Sequence, residues 1–263
     1  MLEHAHRHAV PTPTPTPTPA RSLPPVLEQD WAAYTPEQHL VWSMLYARRM
    51  ASLRQTGSEV FLRGADAIGL RADCVPDLAE VNARLAARTG WAAVPVGGFI
   101  EPREFFACLA SRRFPTTITV RPLEGLDYVP EPDIFHDVFG HVPLHADPVF
   151  ADFLQRFGEV AATARREEDV ERMARLFWFT VEFGLIREGG ETRVYGSGLI
   201  SSAKDAANAL GATCDRRPFA LDAVLAQPYA IDRLQDVLFV VESFDQLFAA
   251  VGEAGRRMAA GAA

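Results

Sequence analysis

Pro130-Glu131-Pro132-Asp133-Ile134-Phe135-His136-Asp137-Val138-Phe139-Gly140-His141-Val142-Pro143 decides how the rest of the chain is read, because it carries two histidines in a short helix-like run closed by Gly140 and Pro143. Residues five apart on a regular α-helix sit about 140° round from each other, too far for His136 and His141 to share one ion. Two readings stay open on these residues alone. In one, the helix breaks at Gly140, which tolerates a left-handed turn, and His141 folds back toward the face of His136 as a second metal ligand. In the other, each is an ordinary core or surface histidine.

A third group lies in Arg175-Leu176-Phe177-Trp178-Phe179-Thr180-Val181-Glu182-Phe183-Gly184-Leu185-Ile186. Glu182 is the only charge between Arg175 and Arg187, among aromatic and aliphatic residues that read as a helix apolar on nearly every side. An ionised carboxylate there costs several kcal/mol, on the order of any unpaired buried charge, unless a cation offsets it. A metal offsets it; so does a buried Arg or exposure to solvent. Two histidines and one carboxylate with open positions match the ligand set of non-haem Fe(II) oxygenases, though zinc hydrolases use the same donors.

The chain has 263 residues, 48% hydrophobic and 23% charged, which suits one large soluble domain. A net charge of -8 and a pI near 5.4 argue against nucleic acid or an anionic membrane as partner and favour a small-molecule substrate. Cys74, Cys108 and Cys214 are scattered and odd in number, which predicts free thiols and a cytoplasmic protein. No run of about 18 apolar residues predicts a membrane span.

Residues 1–24 stand apart: His4, His6 and His8 lead into an alternating Pro-Thr tract from Pro11 to Pro19 with no apolar face, expected to be an extended, disordered arm. Residues 25–263 read as one domain, mainly α. Thr35-Pro36-Glu37-Gln38 is a capping-box start for a helix through His39 to Leu53. Further helices are expected over about 59–68, 77–88, 102–112, 148–163, 167–186, 202–210 and 243–258. Short β signals at Thr116–Arg121 and Thr192–Tyr195 are too little for a sheet-based fold. Val96-Gly97-Gly98-Phe99-Ile100 reads as a loop whose glycines let backbone approach a ligand, or as an ordinary turn.

Taken with Trp178-Phe179-Thr180-Val181-Glu182-Phe183-Gly184-Leu185, Tyr195-Gly196-Ser197-Gly198-Leu199-Ile200-Ser201-Ser202 and the opening Asp30-Trp31, Tyr34-Thr35 and His39-Leu40-Val41-Trp42, the two histidines make the chain resemble the catalytic domain of aromatic amino acid hydroxylases over about residues 29 to 250. It looks most like the bacterial phenylalanine-hydroxylating members. The resemblance implies a single, mainly α catalytic domain of many helices with minor short β-strands around an iron site. It implies a monooxygenase in which a tetrahydropterin and dioxygen react at Fe(II) to hydroxylate L-phenylalanine to L-tyrosine, the first step of phenylalanine catabolism. His136, His141 and Glu182 match the iron ligands. Val96, Gly98, Phe99, Ile100, Phe105, Asp137 and Phe177 match the pterin site, and Arg121, Tyr128, Val129, Pro130, Trp178, Phe183, Gly198, Ser201 and Ser202 match the amino acid pocket. Arg121 stands where the family holds the substrate carboxylate, a task suited to a two-pronged guanidinium.

Two departures bear on the site. Many eukaryotic members carry Tyr where Phe177 stands and Thr where Val129 stands, so one or two hydroxyls are missing here. The chain also lacks room for the regulatory domain and the C-terminal tetramerisation helix of animal members, which leads to the expectation of a monomer. Sister hydroxylases acting on tyrosine or tryptophan differ only in pocket shape, and a zinc hydrolase would need a general base beside the metal water.

Overall fold

Thr35 opens the first long helix as expected: its hydroxyl accepts from the Gln38 amide while the Gln38 side chain accepts from the Thr35 amide, and Pro36 fills the first turn of α1 (Pro36–Thr56). Ser58 and Asp77 cap α2 (Glu59–Ala67) and α3 (Leu78–Arg88) one way only, their side chains accepting from the Phe61 and Ala79 amides. The computed structural model describes residues 24–98, 100–127, 132–231 and 233–261. Phe99, Tyr128, Val129 and Pro130 lie outside them, as does the proposed arm up to residue 23.

After α3 come β1 (Ala92–Pro95), α4 (Pro102–Ala110) and β2 (Arg113–Thr116), with β1 and β2 paired in parallel. Asp147 caps α5 (Pro148–Ala161), which is followed by α6 (Glu167–Phe177). The second half adds β3 (Leu185–Glu188), β4 (Glu191–Val194), α7 (Ser197–Ser201), α8 (Ala203–Leu210), β5 (Asp215–Pro218), α9 (Leu221–Ala226), β6 (Val237–Val241) and α10 (Phe244–Ala259). Four of these strands form one sheet in the order β4-β3-β6-β5. The β3–β4 hairpin turns on Gly189 and Gly190, both at positive φ, the backbone that a two-residue hairpin loop requires. Among the described residues the architecture is mainly α with two small sheets, and the buried apolar side chains form a single cluster.

Three expectations need correction. The helix expected over 167–186 stops as α-helix at Phe177, and Leu185–Ile186 belong to β3. The β signal placed at Thr116–Arg121 is shifted: β2 ends at Thr116 and the chain is irregular beyond it. Gly140 does not break the helix. It takes no positive φ, and Phe135–His141 runs straight through it as a π-helix. Hydrogen bonds of the i→i+5 kind bring residue i+5 round over residue i, so the wider turn achieves what a break was invoked for. Gly140 is there for closeness instead: a Cβ at that position would stand 3.0 Å from the Ser197 carbonyl oxygen and 3.2 Å from its Cβ.

Candidate metal centre

Two π-helical segments supply the donors. Phe135–His141 points Phe135 and Phe139 into the core, their rings stacked at 4.5 Å, while His136 and His141 come together on the other side with ring centroids 5.1 Å apart. Trp178–Glu182, also π-helical, ends on the carboxylate. His141 Nε2 lies 3.0 Å from Glu182 Oε1 and His136 Nε2 lies 3.8 Å from Glu182 Oε2. One ligand atom from each of the three residues falls within 4.8 Å of the others, the only such group of three among the described residues. Donors about 2.1 Å from one ion at right angles stand about 3 Å apart, so this donor set fits a first-row metal with one face left open.

Neighbouring hydroxyls orient the donors. Ser201 Oγ gives its one proton to the Ser197 carbonyl at 2.8 Å, so at 2.9 Å from His136 Nδ1 it acts as acceptor. His136 therefore carries its proton on Nδ1 and turns a bare Nε2 toward Glu182. Ser197 Oγ donates to Glu182 Oε2 at 2.8 Å. Burial alone would raise the Glu182 carboxyl; the charge that His141 and His136 carry when both ring nitrogens are protonated, as they are without a metal at low pH, holds it down at about 2, helped by the Ser197 hydroxyl. Phe114 packs against the His141 ring at 4.5 Å, and Phe177 stacks on it from farther out at 6.4 Å.

Several of the residues expected to hold a pterin have partners that tie them to this centre or to the strand beside it. Phe105 meets Phe177 edge-on at 5.2 Å. The buried Asp137 accepts from the Thr117 amide at 2.6 Å; burial raises its carboxyl, against the pull of His136 and Thr117. Val96 is tied to Thr116 through its amide and bridges to Val26, leaving Gly98 at φ +113 and Ile100 half-buried beside it. On the amino acid side, Trp178 lies 4.8 Å from Phe183, and a Cβ on Gly198 would touch the Phe183 ring at 3.0 Å. Ser202 is already engaged elsewhere, since its hydroxyl caps α8 by accepting from the Asp205 amide.

Arg121 is less free than the sequence implied. Its Nε and Nη2 each donate to Asp133 at 2.8 Å, with both side chains under a tenth exposed, and Nη1 makes only a long contact to the Leu126 carbonyl at 3.4 Å. Asp133 also accepts from the His136 amide at 3.1 Å, so one carboxylate aligns the arginine and starts the π-turn. Sequence reasoning passed over Asp133 and Ser197. The signals were present: an Asp three residues ahead of His136 is a cap spacing, and Ser197 and Ser201, four apart, share one helix face. Tyr229, stacked on Trp178 at 4.6 Å, had no such signal.

Residues 29–259 match the profile of the biopterin-dependent aromatic amino acid hydroxylases. The chain belongs to that family. The phenylalanine-4-hydroxylase of Caulobacter vibrioides is 42% identical over 222 residues, 84% of this chain and 76% of that one. A crystal structure of phenylalanine hydroxylase from Chromobacterium violaceum with bound iron(III) and oxidised 7,8-dihydrobiopterin superposes with a TM-score of 0.84 at 40% identity, covering 90% of this chain and 87% of that one. The iron- and phenylalanine-bound structure of the same enzyme superposes at 0.82 with 38% identity, covering 90% and 88%.

Proposed function

We propose that this hydroxylase is a phenylalanine 4-monooxygenase, converting L-phenylalanine to L-tyrosine with a tetrahydropterin and dioxygen at a non-haem Fe(II) held by His136, His141 and Glu182. The observation that carries the reading is the convergence of two imidazole nitrogens and one carboxylate on a single point from two π-turns, in a member of this family. Iron and a tetrahydropterin, when bound, supply the electrons that let one oxygen atom of dioxygen enter the aromatic ring.

The chain's own residues do the rest. Ser201 keeps the His136 tautomer fit for a metal, and Ser197 fixes one carboxylate oxygen of Glu182. Val96, Gly98, Phe99, Ile100, Phe105, Asp137 and Phe177 hold the pterin, with the Phe105 ring as the flat surface and Asp137 as the polar contact. The Arg121 guanidinium, aligned by Asp133 through Nε and Nη2, has its Nη1 end, held only by the long contact to Leu126, for the substrate carboxylate. Trp178, steadied between Phe183 and Tyr229, flanks the substrate ring, with Tyr128, Val129, Pro130, Gly198 and Ser201 completing the pocket and Ser202 acting only through the α8 cap. Burying the ring against these aromatic walls excludes water from the metal face that reacts.

The protein works as a cytoplasmic monomer in this reading. Cys74, Cys108 and Cys214 are free thiols, no described helix is long and apolar enough to cross a membrane, and α10 turns Leu247, Val251 and Ala254 inward onto its own domain. The test is product formation from L-phenylalanine, L-tyrosine and L-tryptophan in turn, with Fe(II)-loaded protein and excess tetrahydropterin. Tyrosine from phenylalanine, much faster than either other product, is expected; preferential turnover of tyrosine or tryptophan overturns the substrate assignment.

A further inference from the structure

Arg49, on α1, is buried at 4% exposure, and its hydrogen bonds run to backbone rather than to a carboxylate: Nε donates to the Ile200 carbonyl at 2.7 Å and Nη2 to the Leu199 carbonyl at 2.9 Å. A guanidinium is costly to bury unless its N–H groups are met, so its presence here calls for a reason in what it holds. It holds the end of α7.

That helix is five residues long, too short to be stable by itself, and the final carbonyls of any helix lack partners within it. The Ser197 carbonyl accepts from Ser201 Oγ and the Gly198 carbonyl accepts from the Ser202 amide. The next two carbonyls, Leu199 and Ile200, are those that Arg49 meets. A cation at this end also opposes the helix dipole. Burial lowers the guanidinium to about 10, against the raising influence of Asp205, so it remains charged at neutral pH.

The same short helix carries Ser197 and Ser201, which touch Glu182 and His136. We propose that Arg49 is a positioning residue for the metal centre: by closing the last carbonyls of α7 it fixes the two serine hydroxyls that orient Glu182 and His136. This rests on the assignment of His136, His141 and Glu182 as ligands. It adds a contact from about 150 residues upstream through which α1 sets the quality of the metal site, with Arg49 itself touching neither metal nor substrate.

The test uses Co(II) as the probe, titrated anaerobically into metal-free full-length protein and followed by its visible absorption bands. Arg49→Met keeps much of the buried volume and removes both donors. Its Co(II) affinity is expected to fall at least about fivefold, toward the range found when groups that orient metal ligands are removed, with altered bands. Arg49→Lys, which keeps the charge and one donor, should recover part of the loss. Leu53→Ala, one turn on in α1 and fully buried, is the control: it should lower the melting temperature and leave affinity and bands as in the wild type. Arg49→Met with wild-type affinity and bands overturns the proposal, as does an equal loss in Leu53→Ala. Should Arg49→Met fail to fold, Arg49→Lys decides, with an affinity about threefold below wild type expected and equality overturning the idea. Wild-type protein that binds no Co(II) overturns the ligand assignment as well, whereas normal wild-type binding with an unchanged Arg49→Met overturns this proposal alone.

Discussion

Arg121→Lys separates two duties that one guanidinium performs here. In the folded chain Arg121 grips Asp133 through two charge-assisted bonds of 2.8 Å, with 9% and 5% of the two side chains exposed. A lysine ammonium can keep one of those bonds but not the fork. One lost bond of this kind is worth about 1.5 to 3 kcal/mol, little discounted by solvent at this depth. Urea unfolding of metal-loaded protein should show a stability loss of that order. The substrate carboxylate then meets a point charge turned toward Asp133 rather than a pre-aligned N–H edge, and the KM for L-phenylalanine should rise roughly tenfold or more, about 1.4 kcal/mol or above. Steady-state kinetics at saturating tetrahydropterin measure this, and iron content should stay at the wild-type value. A lower stability with an unaltered KM would show that Arg121 serves Asp133 only, and would remove it from the substrate site.

Other outcomes follow from the same geometry. Ser201→Ala leaves His136 Nδ1 without its acceptor, so metal affinity should drop by about 10- to 100-fold in a competitive chelator titration. His145 is fully buried on Trp91 and Phe114, and burial, with His141, pushes its imidazole well below the usual range. Below about pH 6.5 the unfolded chain binds a proton there that the native ring does not, so stability falls as pH falls, by up to about 1.4 kcal/mol per pH unit, and His145→Leu should flatten that slope in denaturant titrations between about pH 5 and 7. A Cβ added by Gly140→Ala presses on the Ser197 backbone, and a lower melting temperature with weaker metal binding is expected from calorimetry and metal titration. Deleting residues 1–24 should leave turnover and the melting temperature nearly unchanged, and a large loss of either would show that this arm packs on the domain.

Capped helices were the most legible part of the chain, since Thr35 and Gln38, Ser58 and Asp77 announce their bonds in the sequence. The three donors were legible too, but the route by which they meet was not. A pattern read at 3.6 residues per turn puts His136 and His141 on different faces and requires a break at Gly140, whereas the backbone widens to a π-turn, set by packing against α7. The sheet was hidden for two different reasons. β3 merges with the apolar run that precedes it, and β5, Asp215-Arg216-Arg217-Pro218, is an edge strand with every residue exposed and so has no apolar alternation to read. Arg121 shows the limit of residue-by-residue reading: its type was informative, while the partner that aligns it, Asp133, depends on a contact that only the fold makes.

Binding of one Fe(II) by His136, His141 and Glu182 is what the reaction needs. Its most direct test is anaerobic Fe(II) reconstitution of the wild type and of His141→Ala, with bound iron and tetrahydropterin-dependent tyrosine formation measured on the same samples. One iron per chain and steady turnover are predicted for the wild type, and loss of both for His141→Ala. Stoichiometric iron with full turnover in His141→Ala would contradict it.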